Sequence, residues 1–234
     1  MPRISILVIA YNEGEGVVAP LKRILEAVKL DSEIIVVVDF PEDTTVSFVN
    51  HLSLQDSRVR VEVNTFGRGP ANAIRFGFKV ASSPVVVVTM ADGCDDATQI
   101  DALALLVERG VVVAAASRYA RGGQLVGAPP LKSSLSKVAG VSLRLLGRVG
   151  TWDSTNSFKA YSRNFVERVG IESDSGFEVG LELVAKARRY RQPVAEIPTI
   201  WIERTVGSSN FKLAKWLSKY LKWYFFAFGR KLTY

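Results

Sequence analysis

The chain has 234 residues, 48% of them hydrophobic and 23% charged, and a formal net charge of +7. This composition excludes a disordered chain, and the length suits one large domain whose core needs no disulfide or metal. The single cysteine, Cys94, has no partner for an internal disulfide, which fits a reducing compartment. No stretch reaches the roughly 18 uncharged apolar residues of a membrane span, and the N-terminal apolar run lacks a cleavage site. We therefore expect a cytoplasmic protein.

Apolar, β-branched runs alternate with helical patterns along the chain. Continuous runs predict buried strands at residues 4–10, 34–38, 85–89 and 111–116, and an alternating run predicts a strand at Val59–Val63. Apolar residues at helical spacing predict helices at residues 17–30, 71–81, 97–109 and 176–190. Strands that alternate with helices predict an α/β fold with a mostly parallel sheet covered by helices on both faces.

Acidic residues follow three of the predicted strands. Glu13, in the turn Tyr11-Asn12-Glu13, follows the first, Asp39 follows the second, and Asp92, Asp95 and Asp96 follow the strand at residues 85–89. Because ligands of parallel sheets bind at the C-terminal ends of the strands, we expect these carboxylates to share one edge. Like charges repel there unless a hard cation such as Mg²⁺ or Mn²⁺ joins them. An alternative role for Asp96 is to cap the helix that it precedes.

The C-terminal end carries all of the excess positive charge. From Arg204 onward there are seven basic residues and no acidic one, whereas the rest of the chain is balanced. In residues 211–225, four lysines recur at spacings of three and four among aromatic residues: Lys212, Lys215, Lys219 and Lys222. This pattern is typical of an amphipathic helix at an anionic membrane surface, although a packed helix or a homodimer contact would also produce it. The basic residues follow no groove-binding motif, so we expect no nucleic acid partner.

We therefore predict a domain at residues 1–204 and a basic, aromatic, amphipathic extension at residues 205–234. The extension would attach the protein peripherally to the inner face of a membrane.

A set of motifs occurs in an order known from one enzyme family. They are YNE at 11–13, VVVD at 36–39, GRGPANAIRFG at 67–77, ASRYARGG at 116–123, DSTNSF at 153–158, GFE at 176–178 and EIP at 196–198. Together they resemble the family 2 glycosyltransferases with the GT-A fold, and within them the dolichol-phosphate mannose synthase-like branch. The match is poor at DSTNSF, which stands in the place of a D-P-x-S-G-F loop.

The resemblance implies a GT-A (Rossmann-like) fold and an inverting transfer of a hexose from a nucleotide sugar, GDP-mannose or a UDP-sugar, to a polyprenyl phosphate or related lipid-linked acceptor. It assigns donor binding to Tyr11, Asn12, Glu13, Asp39, Gly69, Asn72 and Asp92. It assigns the grip on the acceptor phosphate to Arg118, Lys132 and Arg204, of which Arg118 and Arg204 act in catalysis with Asp92.

One departure from the family pattern concerns the metal. The family closes this strand with Asp-x-Asp, but here Met90 stands at the first position and Asp92 at the second. Three alternatives follow: a metal on Asp92 with Asp95 or Asp96, a weakened metal dependence, or lost activity. We favour the first, because the density of acidic residues is preserved while their spacing changes.

The chain offers no histidine as a general base, since its only one, His51, lies outside every motif. A phosphate acceptor is already ionised at neutral pH and needs cationic side chains instead, so the residues favour such an acceptor. Two alternatives remain: a catalytically impaired nucleotide-sugar-binding protein at the membrane, and a glycosyltransferase acting on a non-lipid saccharide acceptor.

Overall fold

The computed structural model describes residues 1–174, 176–204 and 213–233, with the side chains of residues 130–132 and 213–216 outside that description. The side chains of Lys132 and Lys215 and the whole of Lys212, all singled out above, therefore lie outside the described residues. The strands are β1 (Ile4–Ile9), β2 (Ser32–Val38), β3 (Val59–Val63), β4 (Val85–Met90), β5 (Val113–Ser117), β6 (Gln124–Val126), β7 (Lys159–Ser162), β8 (Val194–Pro198) and β9 (Ile200–Ile202).

The helices alternate with these strands as predicted. They are α1 (Val18–Ala27), α2 (Thr45–Ser53), α3 (Pro70–Val80), α4 (Ile100–Glu108), α5 (Pro130–Ser142), α6 (Arg163–Val169), α7 (Val179–Arg189) and α8 (Leu213–Phe226). A π-helical turn, Leu143–Gly147, continues α5, and a short 3-10 helix, Ala97–Gln99, precedes α4. The predicted strands and helices are confirmed, with ends that differ by at most a few residues.

A seven-stranded sheet has the order β3-β2-β1-β4-β7-β5-β8, and β6 pairs with β9 in a small second sheet. Strands β1 to β4 are mutually parallel, as are β5 and β8, so the predicted mostly parallel α/β fold is confirmed. Strand β7, which was not predicted, lies antiparallel between β4 and β5.

Side chains from alternate residues of the strands enter two separate cores. In β1, Leu7 and Ile9 point to the side covered by α3 and α7, whereas Ile6 and Val8 point to the side covered by α1 and α4. All four are buried, because a parallel sheet between two helical layers has no face in water. The helices on both faces are therefore confirmed.

The C-terminal helix α8 packs on α7 and contributes to one of these cores. Trp223 is buried, and its indole Nε1 donates to Ser173 Oγ at 3.0 Å. Lys219 pairs with Asp174 at 2.8 Å. One face of α8 thus packs on the rest of the domain. Among the described helices, none is long and apolar enough to cross a membrane.

Candidate active site

The turn after β1 is held by a neighbouring loop. Asn12 has a φ of 53°, a left-handed conformation that asparagine tolerates better than most residues. Its backbone N–H donates to Asp43 Oδ2 at 2.9 Å, and Asp43 Oδ1 also accepts from the Thr45 N–H at 2.9 Å. Tyr11 is exposed and meets Phe40 edge to face, with ring centroids 5.9 Å apart. The buried Asp43, which the sequence offered only as a cap for a short helix, therefore also shapes this turn.

Asp39, at the end of β2, fixes the glycine-rich loop before α3. Its Oδ2 accepts from the Gly69 N–H at 2.8 Å, and its Oδ1 accepts from Asn64 Nδ2 at 3.1 Å. Gly69 has a φ of 116°, which a residue with a side chain rarely adopts. The Arg68 guanidinium lies 4.8 Å from the centre of the Phe40 ring. A carboxylate thus holds the loop, beside a surface of aromatic rings and positive charge.

The side chain of Asn72, in the first turn of α3, points toward the segment that precedes α7. Its Nδ2 donates to the Asp174 carbonyl oxygen at 2.8 Å, and Asp174 is the residue that pairs with Lys219. Asn72 therefore links the glycine-rich loop to the segment on which α8 rests.

The acidic residues after β4 point in different directions. Asp92 Oδ1 accepts from the Cys94 N–H at 3.1 Å, and Asp96 caps the 3-10 helix by accepting from the Thr98 N–H at 3.0 Å. Asp95 is turned inward, where its Oδ2 accepts from Thr89 Oγ1 at 2.7 Å and from the Met90 N–H at 3.4 Å. A carboxylate thus lies beside the backbone of Met90, the position at which the family has its first acidic residue.

Asp92 and Asp95 influence one another. Burial, and then the negative charge of Asp92, raise the pKa of Asp95 to about 7. The same two causes raise the pKa of the Cys94 thiol. Among the described residues, no three His, Cys, Asp or Glu side chains form a group that could hold a metal ion. Asp92 alone or with one further carboxylate still suits Mg²⁺ or Mn²⁺, since proteins commonly bind Mg²⁺ with one or two carboxylates plus substrate phosphates.

Arg118, after β5, forms a buried ion pair with Asp153. Its Nε donates to Asp153 Oδ2 at 2.6 Å and its Nη2 to Asp153 Oδ1 at 2.9 Å. Although burial alone would raise the pKa of Asp153, the charge of Arg118 and its hydrogen bonds hold that pKa below its usual value. The guanidinium also lies within 3.5 Å of Ser136 Oγ on α5. The two parallel hydrogen bonds fix both the position and the plane of the guanidinium.

A buried lysine completes this charged cluster. Lys159, on β7, is fully buried and donates its ammonium protons to the carbonyl oxygens of Ser154 and Asn156. Burial lowers the pKa of Lys159 to about 8, while the charge of Asp153 opposes that shift. Lys159 therefore holds the loop that carries Asp153.

Arg204 lies beside the turn after β1. Its Nη1 is 3.4 Å from Glu13 Oε2. Burial raises the pKa of Glu13, and the charge of Arg204 opposes that shift. The Ile202 N–H donates to the Cys94 carbonyl oxygen at 3.2 Å, which holds this segment against the acidic loop. The structure thus brings Arg204, Glu13 and the Asp92 loop together.

Glu178 is a buried carboxylate at the start of α7. Its Oε1 accepts from the Gly176 N–H at 3.3 Å, whereas its Oε2 has no hydrogen-bond partner among the described residues. Burial raises the pKa of Glu178. A buried oxygen of this kind is costly when left unpaired and can accept a hydrogen bond from a ligand hydroxyl.

Three charged residues of this site were given no role from the sequence: Asp153, Lys159 and Glu178. The signal for Asp153 and Glu178 lay in the motifs DSTNSF and GFE. The structure gives the positions of the residues predicted to bind donor, acceptor and metal. Their roles stay predictions.

A family profile, Glycosyl transferase family 2, matches residues 5–170. The polyprenol monophosphomannose synthase of Mycolicibacterium smegmatis is 30% identical over 230 residues, a match covering 92% of this chain and 86% of that protein. The dolichol-phosphate mannosyltransferase of Pyrococcus furiosus is 30% identical over 227 residues, covering 94% of this chain and 62% of that longer protein.

Solved structures share the fold. Glucosyl-3-phosphoglycerate synthase of Mycobacterium tuberculosis, with Mn²⁺, UDP and glucosyl-3-phosphoglycerate, has a TM-score of 0.69 at 16% identity, covering 99% of this chain and 82% of that one. A mannosyltransferase of Pyrobaculum calidifontis, with GDP-mannose and Mn²⁺, has a TM-score of 0.64 at 19% identity, covering 96% of this chain and 63% of that one.

Because the profile spans more than half of the chain and a relative of 30% identity matches nearly all of it, the chain belongs to glycosyl transferase family 2 and is a glycosyltransferase with the GT-A fold.

Proposed function

We propose that this enzyme transfers mannose from GDP-mannose to a polyprenyl phosphate with inversion at the anomeric carbon. The observation that carries the proposal is the pair of arginines near the acidic loop that follows β4. Arg118 is held in place by an ion pair with Asp153, and Arg204 lies against Glu13. The names of the relatives, which are mannosyltransferases acting on polyprenol or dolichol phosphates, support the same acceptor class.

On the donor side, the turn at Tyr11-Asn12-Glu13 and the loop held by Asp39 would bind the nucleotide. The exposed ring of Tyr11, with Phe40 and Arg68 beside it, suits stacking against a base. Gly69 and Asn72 lie in the loop and helix next to it. A Mg²⁺ or Mn²⁺ ion on Asp92 would neutralise the diphosphate as it leaves. Asp95 is the better second ligand than Asp96, because Asp95 contacts the backbone of Met90, where the family has its first acidic residue, and Asp96 caps a helix.

On the acceptor side, the ionised phosphate is itself the nucleophile. A phosphate oxygen forms a bond to the anomeric carbon, the bond from that carbon to the diphosphate breaks, and its electron pair leaves with the nucleoside diphosphate. No proton has to be removed, which agrees with a chain whose only histidine is His51. Arg118, Arg204 and Lys132 are proposed to bind the acceptor phosphate. Glu178 Oε2, which has no partner in the described part of the chain, would accept from a sugar hydroxyl.

The extension at residues 205–234 is proposed to attach the enzyme to the inner face of the membrane from the cytoplasmic side. The exposed Lys222 and the exposed apolar residues of α8, Leu217, Leu221 and Phe225, support this attachment. A homodimer contact is the alternative use of the same helix.

The test uses radiolabelled GDP-mannose, with UDP-glucose and UDP-mannose for comparison, and a short-chain polyprenyl phosphate with Mg²⁺ or Mn²⁺. We expect label to enter a butanol-extractable product that mild acid releases and that has the β-configuration. Transfer to 3-phosphoglycerate or to a free saccharide, without transfer to the lipid, would contradict the acceptor class. Donor binding without any transfer would indicate the catalytically impaired alternative.

A further inference from the structure

An exposed arginine lies on the proposed donor side of the site, next to an aromatic ring. Arg68 stands in the glycine-rich loop between Gly67 and Gly69. Its guanidinium lies 4.8 Å from the centre of the Phe40 ring. In the described part of the chain, no residue forms an ion pair or a hydrogen bond with this guanidinium. A ligand placed beside Phe40 would therefore meet its N–H groups.

Hydrogen bonds on both sides of Arg68 fix its backbone. The Gly67 carbonyl oxygen accepts from Asn64 Nδ2 at 2.6 Å. The Gly69 N–H donates to Asp39 Oδ2 at 2.8 Å. Asn64 and Asp39 are themselves joined, since the same Nδ2 lies 3.1 Å from Asp39 Oδ1. The guanidinium thus extends from a fixed point of the backbone, which lowers the entropy that is lost when a ligand binds to it.

The two aromatic rings beside Arg68 determine how a nucleobase would approach it. Tyr11 and Phe40 meet edge to face, with ring planes at 79°. Tyr11 is 46% exposed, so a base can stack on its ring. A base parallel to the Tyr11 ring is nearly perpendicular to the Phe40 ring and turns an edge toward it. The guanidinium beside Phe40 would then lie at the edge of the base, where hydrogen bonds distinguish one base from another.

The common bases offer different edges to an arginine. Guanine carries two neighbouring acceptors, O6 and N7, which two N–H groups of one guanidinium can bind together. Adenine has a donor amine in place of O6, and the pyrimidines have no counterpart of N7. A bidentate arginine therefore favours guanine over the other bases by about tenfold to a hundredfold.

We propose that Arg68 determines the specificity of the donor site for guanine, by donating two hydrogen bonds to O6 and N7 of a base that stacks on Tyr11. The inference rests on the proposed function and deepens it, because it assigns the choice of GDP-mannose over a UDP-sugar to one side chain. Asp39 and Asn64 are positioning residues that hold the loop from which Arg68 extends.

The test is calorimetric titration of the full chain, in the presence of Mg²⁺, with GDP, with UDP and with 7-deaza-GDP, in which carbon replaces N7. The wild type should bind GDP more tightly than either UDP or 7-deaza-GDP. Arg68→Leu should lose about tenfold or more in affinity for GDP and much less for UDP. This variant should bind GDP and 7-deaza-GDP alike, because the group that distinguishes them is gone. Its thermal unfolding should match that of the wild type, since Arg68 is exposed.

Arg68→Lys separates recognition of the base from attraction to the diphosphate. Lysine keeps the charge but lacks the planar fork that binds two acceptors at once, so this variant should lose most of the preference for GDP over UDP. The matched control is Arg75→Leu, because Arg75 on α3 has a similar contact, 5.2 Å from the centre of the Phe66 ring. It should keep the wild-type preference for GDP.

Three results would overturn the proposal. Equal losses of affinity for GDP and UDP in Arg68→Leu would assign the arginine to the diphosphate. A wild type that binds UDP or 7-deaza-GDP as tightly as GDP would show that O6 and N7 are not recognised together. Loss of the preference in Arg75→Leu to the same extent as in Arg68→Leu would show a general effect of positive charge.

Failure of the proposed function can be told apart from failure of this assignment. A protein whose preference for GDP depends on Arg68, but which transfers no mannose to a short-chain polyprenyl phosphate, contradicts the function and leaves the assignment intact. A protein that transfers mannose from GDP-mannose, and whose Arg68→Leu variant keeps the wild-type preference for GDP, contradicts the assignment alone.

Discussion

On the proposed donor side of the site, carboxylates accept hydrogen bonds from backbone amides; on the proposed acceptor side, charged side chains bind one another in the interior. The carboxylates of Asp39 and Asp43 accept hydrogen bonds from backbone N–H groups of neighbouring loops. Arg118 and Asp153 instead form an ion pair next to the buried Lys159. A backbone hydrogen bond fixes the shape of a loop, while a buried ion pair fixes the position of a charge and is sensitive to the loss of either partner. Substitutions on the donor side should therefore change donor use, and those on the acceptor side should change stability as well.

The largest effect is expected at Asp92, where the two sides meet. Asp92→Asn should lower mannose transfer by about a hundredfold or more, because a nearly isosteric change removes the charge proposed to hold the metal on the leaving group. Initial rates with Mg²⁺ and Mn²⁺, together with donor titration by calorimetry, would measure the loss. Thermal unfolding should be close to that of the wild type. Wild-type turnover by Asp92→Asn would remove Asp92 from the proposed mechanism.

A stability effect should come next, at Asp153. Asp153→Asn leaves the buried Arg118 without its counter-charge and should reduce the free energy of unfolding by about 3 kcal/mol. The rate of transfer to the acceptor should also fall. The affinity for the donor, measured at a temperature where the variant is folded, should change little. Urea titration gives the stability, and donor calorimetry gives the affinity.

The matched control for that substitution is Asp96→Asn. Asp96 is a helix cap on the exposed side of the loop, so the same chemical change should cost at most about 1 kcal/mol and leave turnover intact. Equal losses of stability in the two variants would contradict the distinction between the buried pair and the cap. A loss of metal-dependent turnover in Asp96→Asn at full stability would instead make Asp96 the metal ligand.

Arg204 lies against Glu13 in the proposed donor site but is proposed to bind the acceptor. Its substitution therefore tests whether separate residues bind the donor and the acceptor. If Arg204 binds the acceptor phosphate, Arg204→Gln should raise the acceptor KM about tenfold by removing a charged hydrogen bond, with donor affinity unchanged. Glu13→Gln provides the comparison, because it removes only the partner of Arg204 in the turn. The acceptor KM of Glu13→Gln should therefore be lower than that of Arg204→Gln. Weaker donor binding in Arg204→Gln would assign the arginine to the diphosphate.

The parallel part of the fold could be predicted because its strands are continuous apolar runs, and the strand ends then indicated the common edge of Glu13, Asp39 and Asp92. Strand β7 could not be predicted from the sequence. Its residues, Lys159-Ala160-Tyr161-Ser162, resemble a surface segment, and the strands that it pairs with, β4 and β5, are distant in sequence. Long-range pairing leaves no local pattern.

The same reason explains what was missed in the site. The motifs identified Arg118, but its partner Asp153 lies 35 positions later, in the loop with the poorest match to the family. Nothing in the sequence distinguishes a buried lysine such as Lys159 from an exposed one.

The most direct measure of the buried charges around Arg118 and Asp153 is the pH dependence contributed by Lys159. Its pKa is about 8 in the folded protein, against 10.5 for an unperturbed lysine, so between these values the unfolded chain binds a proton that the folded chain does not. Stability therefore rises with pH across this window, by up to about 3 kcal/mol from this group. Lys159→Met should remove that rise, whereas Lys22→Met, at an exposed lysine, should keep it. Urea unfolding of the three proteins below pH 8 and near pH 10 measures the difference. Equal slopes for Lys159→Met and the wild type would mean that Lys159 stays protonated through the window, and that Asp153 stabilises the buried ammonium more than burial disfavours it.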